Sequence, residues 1–340
     1  MKTYTIRDIA SLAGVSVTTV SRVLNRRPDV NKATREKIER IIEECHFVGN
    51  TNARGLKQSS EVIGMVIRGR SNPFLNALSE AILTRAAVLE DTFITEYIDE
   101  KDDEFATALR LTRQHRVKGL LFVGSLIDER VRCLQGMEIP VVFTTVNAEN
   151  ASLPRASSVS INDRALGQAV GEALWSFGHR NVAVFGSNPV AGDSLAMRFQ
   201  GFCEAWAEHG LVFPKENYRE CRFSYESGYE AARDFFETHP HTTAVFAMSD
   251  SMAFGAIRAL IDLGLRVPED VSVVGFDGTG ISRFSVPRLA TVEQPVDEIA
   301  RTSIHLLLDM LEKDAAPRHV LVDASWRPRE SLSAPSPDRA

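Results

Sequence analysis

Cysteine is scarce in this chain, long apolar runs are missing, and so are the short signatures of common catalytic sites. The four cysteines, Cys45, Cys133, Cys203 and Cys221, lie far apart among 340 residues, with no CxxC pair. Such spacing excludes a disulfide-stapled scaffold and argues against a thiolate metal or redox site. It leaves reduced, buried core cysteines as the reading. No stretch approaches the roughly 18 uninterrupted apolar residues that a membrane-spanning helix needs. The opening residues Met1 to Asp8 lack the apolar core of an export signal, so a cytoplasmic location is the expectation. No Walker loop, GxGxxG, HExxH or GxSxG string occurs. Phe276-Asp277-Gly278-Thr279-Gly280 contains the Asp-Gly-Thr of a phosphoryl-transfer motif. The nucleophilic Asp that chemistry needs two residues earlier is replaced by Gly275. His239-Pro240-His241 reads as a loop at a helix end rather than a metal site. No nucleophile stands beside a general base, so neither an enzyme, a cofactor nor a metal is expected.

What is present divides the chain by charge. Residues 1–60 carry 11 Lys and Arg against 6 Asp and Glu, whereas the whole chain has a net charge of −6. A basic head on an acidic body implies that the head meets a polyanion. In the head, Thr5 is placed to cap a short helix, about Ile6 to Ala13. Its apolar residues Ile6, Ile9, Ala10 and Ala13 fall at helical spacing. Gly14 ends it, and Ser16 caps a second helix, Val17 to Leu24, with Val20, Val23 and Leu24 inward. Val17, Thr18, Ser21 and Arg22 then face outward. Two short helices joined by a tight turn read as a helix-turn-helix. Arg22 can fork two hydrogen bonds to a guanine edge, Thr18 can bond to any base, and Val17 can touch a thymine methyl. Ser16, Thr19, Ser21 and Asn25 suit phosphate oxygens. A third helix, about Lys32 to Cys45, is capped by Asn31, which we group with the DNA-contacting residues, as we do Thr5. The plainer alternative is an ordinary three-helix domain with a small polar face.

The run from Thr5 to Asn25, TIRDIASLAGVSVTTVSRVLN, resembles the opening of the lac repressor (LacI/GalR) family, as does Thr34-Arg35-Glu36-Lys37-Ile38. Asn52-Ala53-Arg54-Gly55-Leu56-Lys57 resembles that family's hinge helix. The resemblance implies a hinge that orders only when a dimer meets a pseudo-palindromic operator. It further implies that Leu56, with Ala53 and Arg54 beside it, wedges open a base step in the minor groove. A plain polar linker over 50–60 is the alternative.

From residue 61 short apolar runs alternate with amphipathic helices. Strands are expected at Val62–Ile67, Phe93–Tyr97, Gly119–Val123, Val141–Val146, Val182–Phe185, Thr243–Met248 and Val271–Phe276. Helices fall between them, among them Asp102–His115, Arg164–Phe177, Ala196–His209, Ser227–His239 and Ser251–Leu263. This alternation implies parallel sheets with helices on both faces. About 270 residues of it exceed one small sheet, so two doubly wound parallel-sheet subdomains are expected. The resemblance extends over this body and implies a periplasmic-binding-protein-like fold: an effector between two lobes joined by crossovers near 160–163, 290–294 and 322–326. The expected organisation is a helix-turn-helix domain at 1–49, a hinge at 50–60 and an effector-binding and dimerisation body at 61–334. Its first lobe spans about 61–161 and 293–323, its second about 163–290 and 325–334. Residues 335–340 form a disordered tail without the heptad leucines of a tetramerising coiled coil, so a homodimer is expected.

Ligands of open α/β sheets lie beyond the carboxyl ends of strands. That rule selects Arg68, Asn72 and Phe74 after the first strand, then Ser125, Thr145, Asp250 and Asp277. The family resemblance implies that Arg198, in Met197-Arg198-Phe199-Gln200-Gly201-Phe202, binds effector oxygens. It places Phe223 where an aromatic ring stacks on the ligand, and Gln294 at a crossover facing the pocket. The plainer readings are that Asp250 caps its helix, that Asp277 and Arg198 form a structural pair, and that Phe74 and Phe223 are core. Taken together, the sequence predicts a cytoplasmic, dimeric transcription regulator of repressor type, controlled by a small molecule, most simply a sugar. Its rivals are a purine-type corepressor as the controlling ligand, a sugar-binding protein without a DNA role, and a sugar-processing enzyme.

Overall fold

A computed structural model describes residues 6–24, 30–44, 61–87, 91–187 and 194–337. Thr5, Asn25, Cys45 and the hinge residues Ala53, Arg54 and Leu56 lie outside the described residues. The chain divides into two compact units, residues 1–60 and 61–340.

The first unit holds α1 (Ile6–Ala13), α2 (Val17–Leu24) and α3 (Lys32–Glu44). Gly14, at φ +67°, ends α1 in the left-handed conformation that glycine adopts without a Cβ penalty. Ser16 Oγ accepts from Thr19 N at 3.2 Å, and Asn31 Oδ1 accepts from Ala33 N at 2.9 Å, so both start helices as caps. Ile9, Ala10, Ala13, Val20, Val23 and Ile38 form the small core, with Val15, Val30, Ile41 and Ile42 packed against it.

The second unit is a two-sheet α/β body. Its first lobe contains β1 (Val62–Arg68), α4 (Pro73–Ala86), β2 (Thr92–Ile98), α5 (Glu104–Gln114), β3 (Val117–Val123), β4 (Val141–Thr144) and β5 (Ala156–Ser160). The second contains α6 (Asp163–Ser176), β6 (Val182–Gly186), α7 (Ser194–Glu208), β7 (Tyr218–Glu220), α8 (Tyr225–Thr238), β8 (Ala244–Ala247), α9 (Asp250–Asp262), β9 (Ser272–Asp277) and β10 (Ala290–Glu293). The chain then returns to the first lobe for α10 (Val296–Glu312) and β11 (His319–Leu321), and crosses once more for β12 (Ser325–Arg327). The sheet orders are β11-β5-β4-β3-β1-β2 and β12-β10-β9-β8-β6-β7. Among the described residues, all strand pairings are parallel except β10 with β12. Parallel strands need crossover helices on both faces, which is why inner strands such as β6 and β8 are apolar throughout and buried.

The seven expected strands are present, with ends moved by up to two residues. Five more strands, β5, β7, β10, β11 and β12, were not anticipated. β5 is Ala-Ser-Ser-Val-Ser, polar in composition yet wholly buried. Two of its three serines have side-chain partners: Ser158 Oγ meets His319 Nδ1 at 2.8 Å, and Ser157 Oγ accepts from Arg318 N at 3.0 Å. The uniform expectation of buried cysteines is corrected. Cys221 is buried and Cys203 half-buried, but Cys133 is exposed on the short turn Glu129–Leu134, where Val131 and Leu134 take the inward positions.

Helices α6 and α7 pack at backbone distance. A Cβ on Gly201 would stand 1.9 Å from the Arg164 carbonyl oxygen, and one on Gly167 would stand 2.0 Å from that of Arg198. The two glycines thus set where the backbone of Arg198 lies. Gly201→Ala gains about 1 kcal/mol of helix propensity. It forces the helices apart at a cost of about 1–3 kcal/mol or more, because backbone cannot yield as a side chain does. A lower urea midpoint is expected, and an unchanged or raised one would contradict this account of the helix pair.

Candidate functional site

On the helix-turn-helix unit, Val17, Thr18 and Arg22 are exposed on one side of α2, while Val20 and Val23 are buried on the other. Thr19 and Ser21 are half-buried. Ser16 Oγ lies 2.9 Å from Thr19 Oγ1, so these two hydroxyls brace each other as well as the helix start. The exposed set therefore narrows to a small polar strip with one guanidinium at its end.

In the body, the carboxyl ends of strands from both sheets line a cavity of about 700 Å³. Nine of the ten residues selected from the sequence border it: Arg68, Asn72, Phe74, Ser125, Thr145, Arg198, Phe223, Asp277 and Gln294. Asn72 Oδ1 accepts from Phe74 N at 2.9 Å as the cap of α4, which leaves its amide NH₂ for the cavity. Phe74 is buried and Phe223 half-buried, and both present ring surface there.

Arg198 is the charged centre of the second lobe's side. It is 6% exposed, and its Nε donates to Asp163 Oδ1 at 2.7 Å while Nη1 donates to the Met248 carbonyl at 2.9 Å. Its guanidinium carbon lies 3.6 Å from the centre of the Phe276 ring. The direct ionic partner is thus Asp163, the first residue of α6, rather than Asp277. Asp277 accepts from Gln294 Nε2 at 2.9 Å. Burial drives its carboxyl well above the usual range, and the nearby Arg198 charge opposes that rise. Cation, carboxyl and carboxamide converge on one wall, the donor and acceptor set that hydroxyl groups match.

Asp250 is corrected. It is fully buried and does not reach the cavity. Its Oδ2 accepts from Thr279 N at 2.6 Å and Thr279 Oγ1 at 2.7 Å, and its Oδ1 accepts from Thr291 Oγ1 at 2.6 Å. Burial raises its pKa to about 6 against these bonds. The cap of α9 is Ser249, which accepts from Met252 N at 3.2 Å. Asp250 instead ties the start of α9 to the loop that follows Asp277, and so holds the cavity wall from behind.

Sequence reasoning missed Asp163 and Glu104. Glu104 opens α5, is 1% exposed, and accepts from Ser125 Oγ at 2.7 Å and from Leu126 N at 2.9 Å. It therefore fixes the strand-exit loop that lines the first lobe's side. Asp163 carried a signal in its place directly after the first crossover. Glu104 carried none, since an acidic residue at a helix start is ordinary. Glu100 and Arg222, on the rim, were also missed.

Residues 5–50 match the family described as bacterial regulatory proteins, lacI family, and residues 171–332 match a periplasmic binding protein-like domain. The HTH-type transcriptional regulator MalR of Clostridium butyricum is 33% identical over 336 residues, covering 96% of this chain and 98% of MalR. The chain belongs to the LacI family. Among solved structures, a lac repressor dimer bound to operator and the anti-inducer ONPF superposes with a TM-score of 0.71 at 28% identity, covering 98% of this chain and 100% of that one. A complex of the transcriptional regulator CelR with cellobiose gives 0.70 at 27% identity, covering 97% and 100%. This LacI-family protein is accordingly a DNA-binding transcription regulator of repressor type with a two-lobed effector-binding body. Its relatives are regulators rather than enzymes. No helix among the described residues is long and apolar enough to cross a membrane.

Glu104 makes a pH prediction for this regulator. Burial raises its pKa from 4.5 to about 7, with the Ser125 and Leu126 bonds and the charges of Arg68 and Arg130 opposing. A carboxyl raised in the folded state favours folding below its unfolded pKa, and that contribution is lost as pH rises through the folded value. Between 4.5 and about 7, Glu104→Gln should flatten the decline of stability with pH. The flattening should reach at most about 1.4 kcal/mol per pH unit, one proton's worth. Parallel stability–pH curves for the two proteins would refute the assignment.

Proposed function

We propose that this regulator binds a polyhydroxylated small molecule, a sugar or sugar derivative, between its lobes, and that the ligand sets its affinity for operator DNA. The observation that carries the reading is the convergence of Arg198, Asp277 and Gln294 on one wall of a cavity of about 700 Å³. That volume lies within the range of about 300–1,000 Å³ usual for small-molecule sites. Paired acceptors and a guanidinium serve several hydroxyls at once, while Phe74 and Phe223 offer apolar faces to a ring. Asn72, Ser125 and Thr145 supply the polar groups opposite, and Arg68 adds a second cation. The cellobiose held by the related CelR supports the same chemical class. Control follows from linkage: a ligand that favours one lobe arrangement shifts DNA affinity by its differential free energy.

The proposal extends to a cytoplasmic homodimer, a form in which the lac repressor has been solved. Thr5, Ser16, Thr19, Ser21, Asn25 and Asn31 would position the DNA backbone, and Val17, Thr18 and Arg22 would read base edges. Ala53, Arg54 and Leu56 would enter the minor groove.

A thermal-shift screen with sugars and nucleobases tests the ligand class. Sugars should raise the melting temperature of the wild type, and Arg198→Ala should abolish the shift while DNA binding persists. A shift given by nucleobases alone would replace the sugar reading with a purine-type one. At the other site, Arg22→Ala should weaken specific DNA binding by about 1–3 kcal/mol and leave the ligand-induced melting shift intact. Equal losses on specific and unrelated DNA would make Arg22 a phosphate contact instead.

A further inference from the structure

Arg222 sits in the loop between β7 and α8 of the second lobe, and its side chain crosses to the first. Its Nη2 donates to both carboxylate oxygens of Asp99, at 2.7 and 2.8 Å, and its Nε donates to Glu100 Oε2 at 3.5 Å. Asp99 and Glu100 follow β2. Glu100 and Arg222 both border the cavity, so the fork closes over its rim.

Each half of this fork is fastened within its own lobe. On the first lobe, Asp102 Oδ2 accepts from Asp99 N at 2.9 Å, Arg70 donates to the Tyr97 carbonyl at 3.1 Å, and Arg68 donates to the Glu100 carbonyl. On the second, Ser227 Oγ accepts from Arg222 N at 2.9 Å, and the Arg222 carbonyl accepts from Ser224 N at 2.8 Å. Two preformed loops that meet through a charge-assisted fork lose little freedom on closing. The interaction also holds the Asp99 carboxyl below the usual range. Both side chains are about half exposed, at 49% for Arg222 and 52% for Asp99, so the fork is weak enough to open reversibly.

We propose that Arg222, Asp99 and Glu100 form a clasp that holds the lobes closed over the cavity, and that its opening gates entry to the site. Arg222 is then a positioning residue: it acts on the ligand site through lobe closure. Arg68 links the clasp to the cavity, because one guanidinium borders the cavity and also anchors Glu100. The gating role rests on reading the cavity as the effector site, but the clasp itself can be measured without any sugar.

The experiment is hydrogen exchange on the full chain without ligand. It compares wild type with Arg222→Ala, with Asp99→Ala/Glu100→Ala, and with the triple variant. The probes are the amides of Leu126, Thr145 and Gln294, which border the cavity and are hydrogen-bonded, and which lie away in sequence from the substituted positions. Loss of an exposed ion-pair fork should speed their exchange about two- to fivefold. The triple variant should be no faster than Arg222→Ala, because the fork is already gone. Raising the salt concentration should speed exchange in the wild type and leave Arg222→Ala unchanged. Unchanged rates in Arg222→Ala would overturn the clasp. So would a triple variant whose acceleration is the product of the other two, or equal acceleration of Leu120 and Val245 inside the strands. None of these outcomes depends on whether a sugar binds.

Discussion

Burying the Arg198 guanidinium is the constraint around which the second lobe's side of the cavity is organised. A cation taken out of water is tolerated only where anions, carbonyls or ring faces replace its hydration. Here Asp163, the Met248 carbonyl and the Phe276 ring do so. These partners come from the start of α6, the exit of β8 and the end of β9, so placing one side chain fixes three elements. The backbone contacts of Gly167 and Gly201 bring α6 against α7 closely enough for the Asp163 bond to form. Asp277, buried next to this charge, gains from it electrostatically yet bonds to Gln294 instead. Ligand oxygens entering the cavity meet a cation and a carboxyl that are already oriented.

The two lobes repeat this construction with different chemistry. Their sheets share one strand order, and in it β4 and β9 occupy equivalent places. β4 is followed by Thr145 at φ 82°, and β9 ends on Asp277 at φ 117°, both in the left-handed region that non-glycine residues avoid. Such backbone costs about 1–3 kcal/mol each and persists where surroundings hold it. The Thr145 carbonyl accepts from Ser194 Oγ of the other lobe at 3.1 Å, and that of Asp277 accepts from Gln294 N at 3.1 Å. The strained turns thus point backbone oxygens at the opposite lobe or at the crossover. Nearer the rim, the Arg222 fork adds a further contact between the lobes.

Much of this is legible in the sequence. Apolar runs such as Val62–Ile67 and Gly119–Val123 declare buried parallel strands because both their faces are covered. The strand-end rule, joined to the family motifs, gathered nine of ten candidates onto one cavity. The failures have specific causes. β5 is buried but made of serines whose hydrogen bonds, not apolar surface, allow it inside. The edge strands β7, β11 and β12 are three residues long, too short to show a period. Asp250 satisfied the strand-end rule, yet its carboxylate turned inward to two threonines that no local pattern connects to it. Glu104 and Arg222 act across sequence separations of 21 and 123 residues, which a linear reading does not resolve.

The central claim is that occupancy of the cleft and affinity for DNA are two sides of one equilibrium. The direct measurement uses a duplex selected by this protein from a random pool and a sugar that raises its melting temperature. DNA affinity is titrated against sugar concentration, and sugar affinity is measured with and without saturating duplex. The account predicts that DNA affinity changes by a factor that levels off as the cleft fills. The duplex should change sugar affinity by the same factor, as linkage requires. A DNA affinity that stays constant while the cleft is saturated would contradict it.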